Sequence, residues 1–229
     1  MNYTVSLSLL GAAQIGLGVS TGGLAGFLLG WSGVSFLTVG IAYAGVGPRV
    51  FGKRPDGRVH WANTLFLLPY LALTHFLGWA RCRSSRDKKN EIIEGLFLGQ
   101  RLTSTRDLPE NTILVVDFTS EFQEPKEIRA GKRYLYVPTL DSDVPKDKLL
   151  REVIEAIMQE RERKQGAVYV HCALGRGRSA MAVSGVLIAS GLADSVAAAE
   201  AMVRERRGGI RLSRTQRAAL ERYRQTRIA

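Results

Sequence analysis

The stretch Ala167–Ser179 (AVYVHCALGRGRS) restricts the fold of this chain more than any other. A short β-rich apolar run, Ala167 to Val170, ends in His171 and Cys172. A tight run with glycines at 175 and 177 follows, and Arg178 and Ser179 then lead into the apolar, helix-like segment Ala180, Met181, Ala182, Val183. The order is strand, cradle, helix. A loop closing onto a helix N-terminus aims several backbone N–H groups at one point, and that point binds anions. Glycines let the backbone turn tightly and come close to a ligand. Arg178 offers a planar fork of donors to two anion oxygens at once. The same positive surroundings lower the pKa of Cys172 and populate its thiolate. A nucleophile on the floor of an oxyanion cradle is what phosphoryl transfer through a covalent cysteine intermediate requires.

The pattern His171-Cys172-x-x-Gly175-x-x-Arg178-Ser179 resembles the signature loop of the cysteine-dependent protein tyrosine phosphatase superfamily. The dual-specificity branch is the closer match. A rhodanese-like sulfur carrier also sets a cysteine in an anion loop, but it has no need of the Arg-Ser ending. The resemblance covers roughly residues 91–229 and implies an α/β fold with a central, mostly parallel sheet flanked by helices. It implies that Cys172 is the nucleophile, and that Ala173, Leu174, Gly175, Arg176, Gly177 and Arg178 hold the phosphate. It implies that His171 orders the loop and favours the thiolate, and that Ser179 donates its hydroxyl to the thiolate when that becomes the leaving group. The resemblance also calls for a general acid on a neighbouring loop that precedes the cysteine. The segment TLDSDVP offers Asp141 and Asp143, 31 and 29 positions before Cys172. Pro-Thr-Leu-Asp is closest to the family's strand–acid junction, so Asp141 is preferred and Asp143 is the alternative.

The rest of residues 90–229 reads as alternating strands and helices, which points to a mostly parallel sheet. Leu96–Leu98 is expected to be the edge strand, Thr112–Phe118 a buried central strand, and Lys132–Pro138 another strand. Lys146–Lys164 has helical apolar spacing, with Asp147 in its first turn. Helices are expected at Ser179–Ser190, at Ser195–Arg207 capped by Asp194, and at Arg214–Thr226 capped by Ser213. The run Asp117 to Phe122 lies at a strand end, where an α/β sheet binds ligands, and resembles a scaffold for the loop. Gln216 resembles a glutamine seen in some relatives. Arg206 and Arg207 read either as a site for a second phosphate or a lipid surface, or as a solvated basic helix end.

The first part of the chain differs in kind. Residues 3–47 hold no charged side chain and are rich in Gly, Ala, Ser and Thr, which let membrane helices pack closely. The run is long enough for two spans, Val5–Ala25 and Leu28–Gly47, with the turn near Gly22–Gly23 or Gly30–Gly33. Trp61–Trp79 is a third apolar run with tryptophan at each end and Pro69 within it. Of the net charge of +11, residues 1–90 carry nine Lys/Arg against two acids, so much of the excess flanks the apolar runs. That reads as membrane-flanking charge, and no nucleic-acid motif is present. The two cysteines, Cys82 and Cys172, fall in different parts of the chain, so no disulfide framework is expected, and a working thiolate needs a reducing compartment. Histidines at 60, 75 and 171 share no ligand pattern, so neither a metal nor another cofactor is expected.

The sequence thus predicts a membrane region at 1–80 with two or three hydrophobic helices, a basic linker at 81–89, and a phosphatase-like catalytic domain at 90–229. It predicts a multi-pass membrane protein whose catalytic domain faces the cytoplasm. The expected activity is hydrolysis of phosphate monoesters through a phosphocysteine. Phosphorylated protein side chains are the first substrate reading. Phosphatidylglycerophosphate or a phosphoinositide is the second, and an inactive phosphate-binding docking module is the third.

Overall fold

The structure is a computed structural model that describes residues 3–83 and 88–228. Residues 84–87 of the basic linker and the side chain of Cys82 lie outside the described residues. The chain divides into two compact units, Met1–Ala80 with Ser120–Gln123, and Arg81–Thr119 with Glu124–Ala229.

The first unit opens with a helical hairpin, α1 (Tyr3–Thr21) and α2 (Gly23–Ile41), the latter continuing as a wider coil to Val46. The reversal falls at Gly22 and Gly23, both at positive φ (66° and 59°), which is the first of the two expected turn sites. Small residues set the closeness of the pair. A Cβ on Gly11 would lie 2.6 Å from the Gly33 carbonyl oxygen, and one on Gly18 would lie 2.7 Å from that of Gly26. Glycine at these places therefore lets backbone rest on backbone. Leu9, Leu17, Val19, Leu24 and Phe27 point outward and are exposed. Both helices are long and apolar enough to span a membrane.

Trp61–Trp79, the third apolar run, is interrupted near its proline. It is broken at Leu67 into α3 (Trp61–Phe66) and α4 (Leu68–Arg83). Pro69 has no N–H to give and its ring crowds the preceding turn. The Phe66 carbonyl accepts from the Trp31 indole N–H at 3.1 Å instead, and the Tyr70 N–H donates to Ser35 Oγ at 3.3 Å. Both partners come from α2.

The second unit is α/β. Its strands are β1 (Lys89–Ile93), β2 (Leu96–Gln100), β3 (Thr112–Asp117), β4 (Arg133–Tyr136) and β5 (Ala167–Cys172), in the order β1-β2-β5-β3-β4. The β1–β2 pair is an antiparallel hairpin and every other pairing is parallel. Leu96–Leu98 is therefore not the edge. The edge is β1, whose KNEII sequence gives too short an apolar signal to stand out. The helices are α5 (Lys126–Arg129), α6 (Asp147–Arg163), α7 (Arg178–Ala189), α8 (Val196–Arg206) and α9 (Arg214–Ile228).

Strand alternation sends side chains to two faces. Leu114, Val116, Val168, Val170 and Cys172 face the large core built with α6, α7, α8 and α9. Val115 and Tyr169 face a smaller core with Leu102, Leu108 and Ile128. On α6 the predicted apolar stripe buries Leu150, Val153, Ile154 and Ile157, each worth about 1.5–3 kcal/mol of transfer from water. Helix α7 is buried along nearly its whole length, which fixes the loop before it. Ser195, not Asp194, caps α8 by accepting the Ala198 N–H at 3.1 Å. Its neighbour's carboxylate is one position too early for that bond. Ser213 caps α9 as expected, accepting the Gln216 N–H at 3.1 Å.

Candidate active site

The tail of β5 and the start of α7 build the cradle. Its registry is fixed on both sides, since His171 lies opposite Asp117 on β3 and Cys172 opposite Gln100 on β2. Because successive residues point to opposite faces, Cys172 and His171 cannot share a side of the sheet.

Cys172 is buried, and donors converge on its sulfur. The Gly175 N–H donates at 3.3 Å and the Ser179 hydroxyl at 3.2 Å. Burial alone would push this thiol up. The Arg178 guanidinium, the Ser179 hydroxyl and backbone N–H groups of Ser179 and Arg176 outweigh burial and hold it below its ordinary value. Gly175 sits at φ 66°, and a Cβ there would collide with the Gly99 backbone of β2, so two separate constraints admit only glycine. Gly177 is different: its φ is −126°, and the nearest atoms to a Cβ would be 3.4 Å and 3.6 Å away, in Gln216 and the Arg211 carbonyl.

Arg178 is buried at the first turn of α7. Its Nη1 donates to the carbonyls of Phe118 and Thr139, both at 3.0 Å. Its Nη2 lies 3.3 Å from Asp141 Oδ1. The fork is thus braced by two backbone segments and reaches Asp141, whose side chain is 60% exposed. Asp143 takes another place in the loop: its N–H donates to the Leu140 carbonyl and its carbonyl accepts from Gln216 Nε2 at 3.1 Å. Of the two candidate acids, Asp141 is the one in an ion pair with the arginine of the cradle.

Behind the cradle lies a buried polar cluster on the other face. His171 Nε2 is 3.6 Å from Glu124 and its Nδ1 is 3.9 Å from Asp117. Asp117 accepts from the Thr119 N–H and hydroxyl at 2.7 Å and from the Tyr134 hydroxyl at 2.6 Å. Burial, then the charge and hydrogen bond of Asp117, push the Tyr134 phenol far up, so it remains a donor. Glu124 pairs with Arg101 at 3.5 Å, and the Arg101 N–H donates to the Ala173 carbonyl of the cradle. His171 thus lies on the face away from the sulfur, beside Glu124, whose partner Arg101 reaches the cradle. Asp117 is buried and ties the turn at Thr119 to Tyr134 of β4. These three ligand-type side chains, Asp117, Glu124 and His171, lie within 4.8 Å of one another, but each is already engaged with the surrounding protein.

Three functional contacts were not assigned from sequence. Glu124 and Arg101 carry no local signal, because nothing in their neighbourhood marks them as buried. Arg207 was read as a surface charge and is buried instead. Its Nε donates to the Gly175 carbonyl at 2.9 Å, its Nη2 to the Leu174 carbonyl at 3.1 Å and its Nη1 to Asn90 at 2.6 Å. Arg207 engages two carbonyls of the cradle, while the Gly175 N–H turns to the sulfur. Arg207 is thus spent on the loop and is neither a second-phosphate site nor a solvated helix end. Gln216 is also buried.

Residues 96–226 match the dual specificity phosphatase catalytic domain. No curated protein sequence matches. Among solved structures, PTPMT1 in complex with PI(5)P is similar at 25% identity and TM-score 0.55, over 62% of this chain and 100% of that one. The human tyrosine phosphatase-like serine/threonine/tyrosine-interacting protein is 24% identical, with TM-score 0.56, over 63% and 100% of the two chains. Human DUSP28 is 23% identical, with TM-score 0.54, over 63% and 98%. The last two likenesses concern fold. Since the family match spans more than half of the 229 residues and includes the whole cradle, the chain belongs to the dual specificity phosphatase catalytic-domain family.

Proposed function

We propose that this protein hydrolyses phosphate monoesters through a phosphocysteine intermediate, and that the phosphate is carried by a membrane lipid. The Cys172 thiolate attacks phosphorus in line with the leaving oxygen. N–H groups of residues 173–178 and the Arg178 fork hold the three equatorial oxygens and stabilise their developing charge. Asp141 gives its proton to the leaving alkoxide. In the second step Asp141 takes a proton from water, the water oxygen bonds to phosphorus, and the sulfur departs as a thiolate stabilised by Ser179. Inorganic phosphate leaves and the enzyme is restored.

One observation carries the reading of hydrolysis over mere docking. The arginine that lowers the Cys172 thiol also holds Asp141, so nucleophile, anion fork and proton donor meet at one point. The lipid reading draws on two apolar helices in the same chain and on a similar structure whose bound molecule is PI(5)P. Arg176, which is partly exposed in the cradle, suits a headgroup with more than one negative charge.

The test uses the full chain in mixed micelles and measures phosphate release from phosphatidylglycerophosphate, a phosphoinositide panel, and phosphotyrosine and phosphothreonine peptides. Cys172→Ser serves as the blank. A preference for one lipid of about 100-fold, on the order of 3 kcal/mol in the transition state, is the expected result. An equal preference for a peptide reassigns the substrate to protein. Binding without turnover on every substrate sinks the enzyme reading and leaves a docking module.

A further inference from the structure

We propose that the N-terminus of α9 positions the acid loop over the cradle, and that the Gln216 carboxamide is the group on which this loop hangs. The inference rests on the phosphatase reading above and goes beyond it by naming what places the proton donor.

Gln216 is 1% exposed. Its Oε1 accepts the Ser213 N–H at 3.0 Å, and Ser213 Oγ accepts the Gln216 N–H, a reciprocal cap of the helix start. Its Nε2 is thereby free for another partner and donates to the Asp143 carbonyl at 3.1 Å. Next to it, Thr215 Oγ1 donates to the Ser142 carbonyl at 3.4 Å. Further along α9, Arg222 donates twice to Asp147 at 2.8 Å, just where the loop enters α6. One helix thus grips the loop at three places.

The loop needs that grip. Ser142 stands at φ 61°, a left-handed conformation that a non-glycine side chain holds only at a cost. Both carbonyls bound by α9, those of Ser142 and Asp143, belong to this strained turn. Asp141 itself is largely exposed, so its place depends on the backbone beside it as well as on its pairing with Arg178. The same carboxamide borders the cradle, being the nearest side chain to any Cβ placed on Gly177. A single buried group therefore spans the cradle rim and the acid loop and sets the distance between phosphate and proton donor. An amide is required for both bonds. A glutamate at this position keeps an acceptor for Ser213 but has no donor for Asp143.

The test compares the wild-type full chain, Gln216→Glu and Gln216→Ala, with Asp141→Asn as reference, on aryl phosphates of rising leaving-group pKa. A good leaving group needs no proton, so both Gln216 variants are expected to stay within about threefold of wild type on p-nitrophenyl phosphate. On phenyl phosphate they are expected to fall by about 10- to 100-fold, part of the 10²–10⁴ that a general acid supplies. Amide hydrogen exchange is read in parallel, with faster exchange expected across 140–144 and none across 172–178. Melting of Gln216→Glu near the wild-type temperature separates the loop effect from loss of the helix cap. An equal loss on every leaving group, or unchanged exchange across 140–144, overturns the proposal. If wild type and Cys172→Ser are equally inert, the phosphatase reading fails, and hydrogen exchange alone then decides whether Gln216 holds the loop.

Discussion

In the proposed mechanism the cradle and the acid loop serve one phosphate, yet the two are held in opposite ways. The cradle has its sulfur buried and contacted from three and seven positions away in sequence, and Arg207 and Arg101 engage its carbonyls from behind. The acid loop is open to solvent, and α9 holds two of its carbonyls from 73 positions downstream. The difference follows from the chemistry. A thiolate and its amide dipoles lose strength if they reorganise, so they are fixed in a water-poor site. A carboxyl group that must trade protons with leaving groups and water has to remain accessible, so its position is secured through the backbone.

The sharpest way to break this comparison is to strain the cradle alone. Gly175→Ala forces a Cβ into the Gly99 backbone at a positive φ, whereas Gly177→Ala meets only ordinary contacts. Gly175→Ala is expected to abolish measurable turnover and to cost about 1–3 kcal/mol in urea unfolding. Gly177→Ala is expected to keep its fold and most of its activity. Equal effects at both positions would mean that the cradle is not rigid in the way described.

Next in size is the acid. Asp141→Asn is expected to lower kcat by about 10²–10⁴-fold on alkyl phosphates, and Asp143→Asn only severalfold, because Asp143 contributes backbone groups to the loop. Reversed magnitudes in steady-state kinetics would transfer the role to Asp143. A smaller effect concerns pH. In the proposed mechanism Cys172 must be a thiolate to attack, so kcat/KM rises with pH through the thiol pKa, which Arg178 and the donors to the sulfur hold below its ordinary value. Ser179→Ala removes a donor to the sulfur and is expected to move that acidic limb upward. A limb that stays in place would remove Ser179 from the account.

The smallest effect lies at the far end of the acid loop. The hydrogen bond from Arg222, opposed by burial and aided by the charges of Arg222 and Arg151, holds the Asp147 carboxyl below its usual range. A lowered folded pKa stabilises the fold above the unfolded value, about 3.9, and that stability is lost as pH falls through the folded value. Arg222→Ala should therefore lower the melting temperature modestly at pH 7, and the gap should close at strongly acidic pH. A gap that persists there would show that Arg222 acts through packing.

The same contrast explains what could be read in advance. Cys172, Arg178 and Ser179 are legible because the cradle is one contiguous segment whose residue types and spacing follow from binding an anion. The parallel strands and α6 are legible through their apolar periods. Arg207 is hidden because a basic residue at a helix end looks the same whether it meets water or a carbonyl 32 positions back. Glu124 is hidden for the same reason, since its partner Arg101 comes from another segment; Gln216 stands out through the resemblance, but its bond to Asp143 does not. The edge strand β1 escapes notice because pairing with β2, not its own composition, makes it a strand. Asp194 and Ser195 are both good caps in sequence, and only the backbone geometry at residue 195 chooses between them.

The broken helix at Pro69 has a consequence for how the chain is put together. Its bare carbonyl and stray N–H are satisfied by Trp31 and Ser35, both on α2. Backbone groups left without partners cost free energy wherever water cannot replace them. The break is tolerable because α2 lends a donor and an acceptor at matching positions, so the earlier helix acts as a splint for the later, interrupted one.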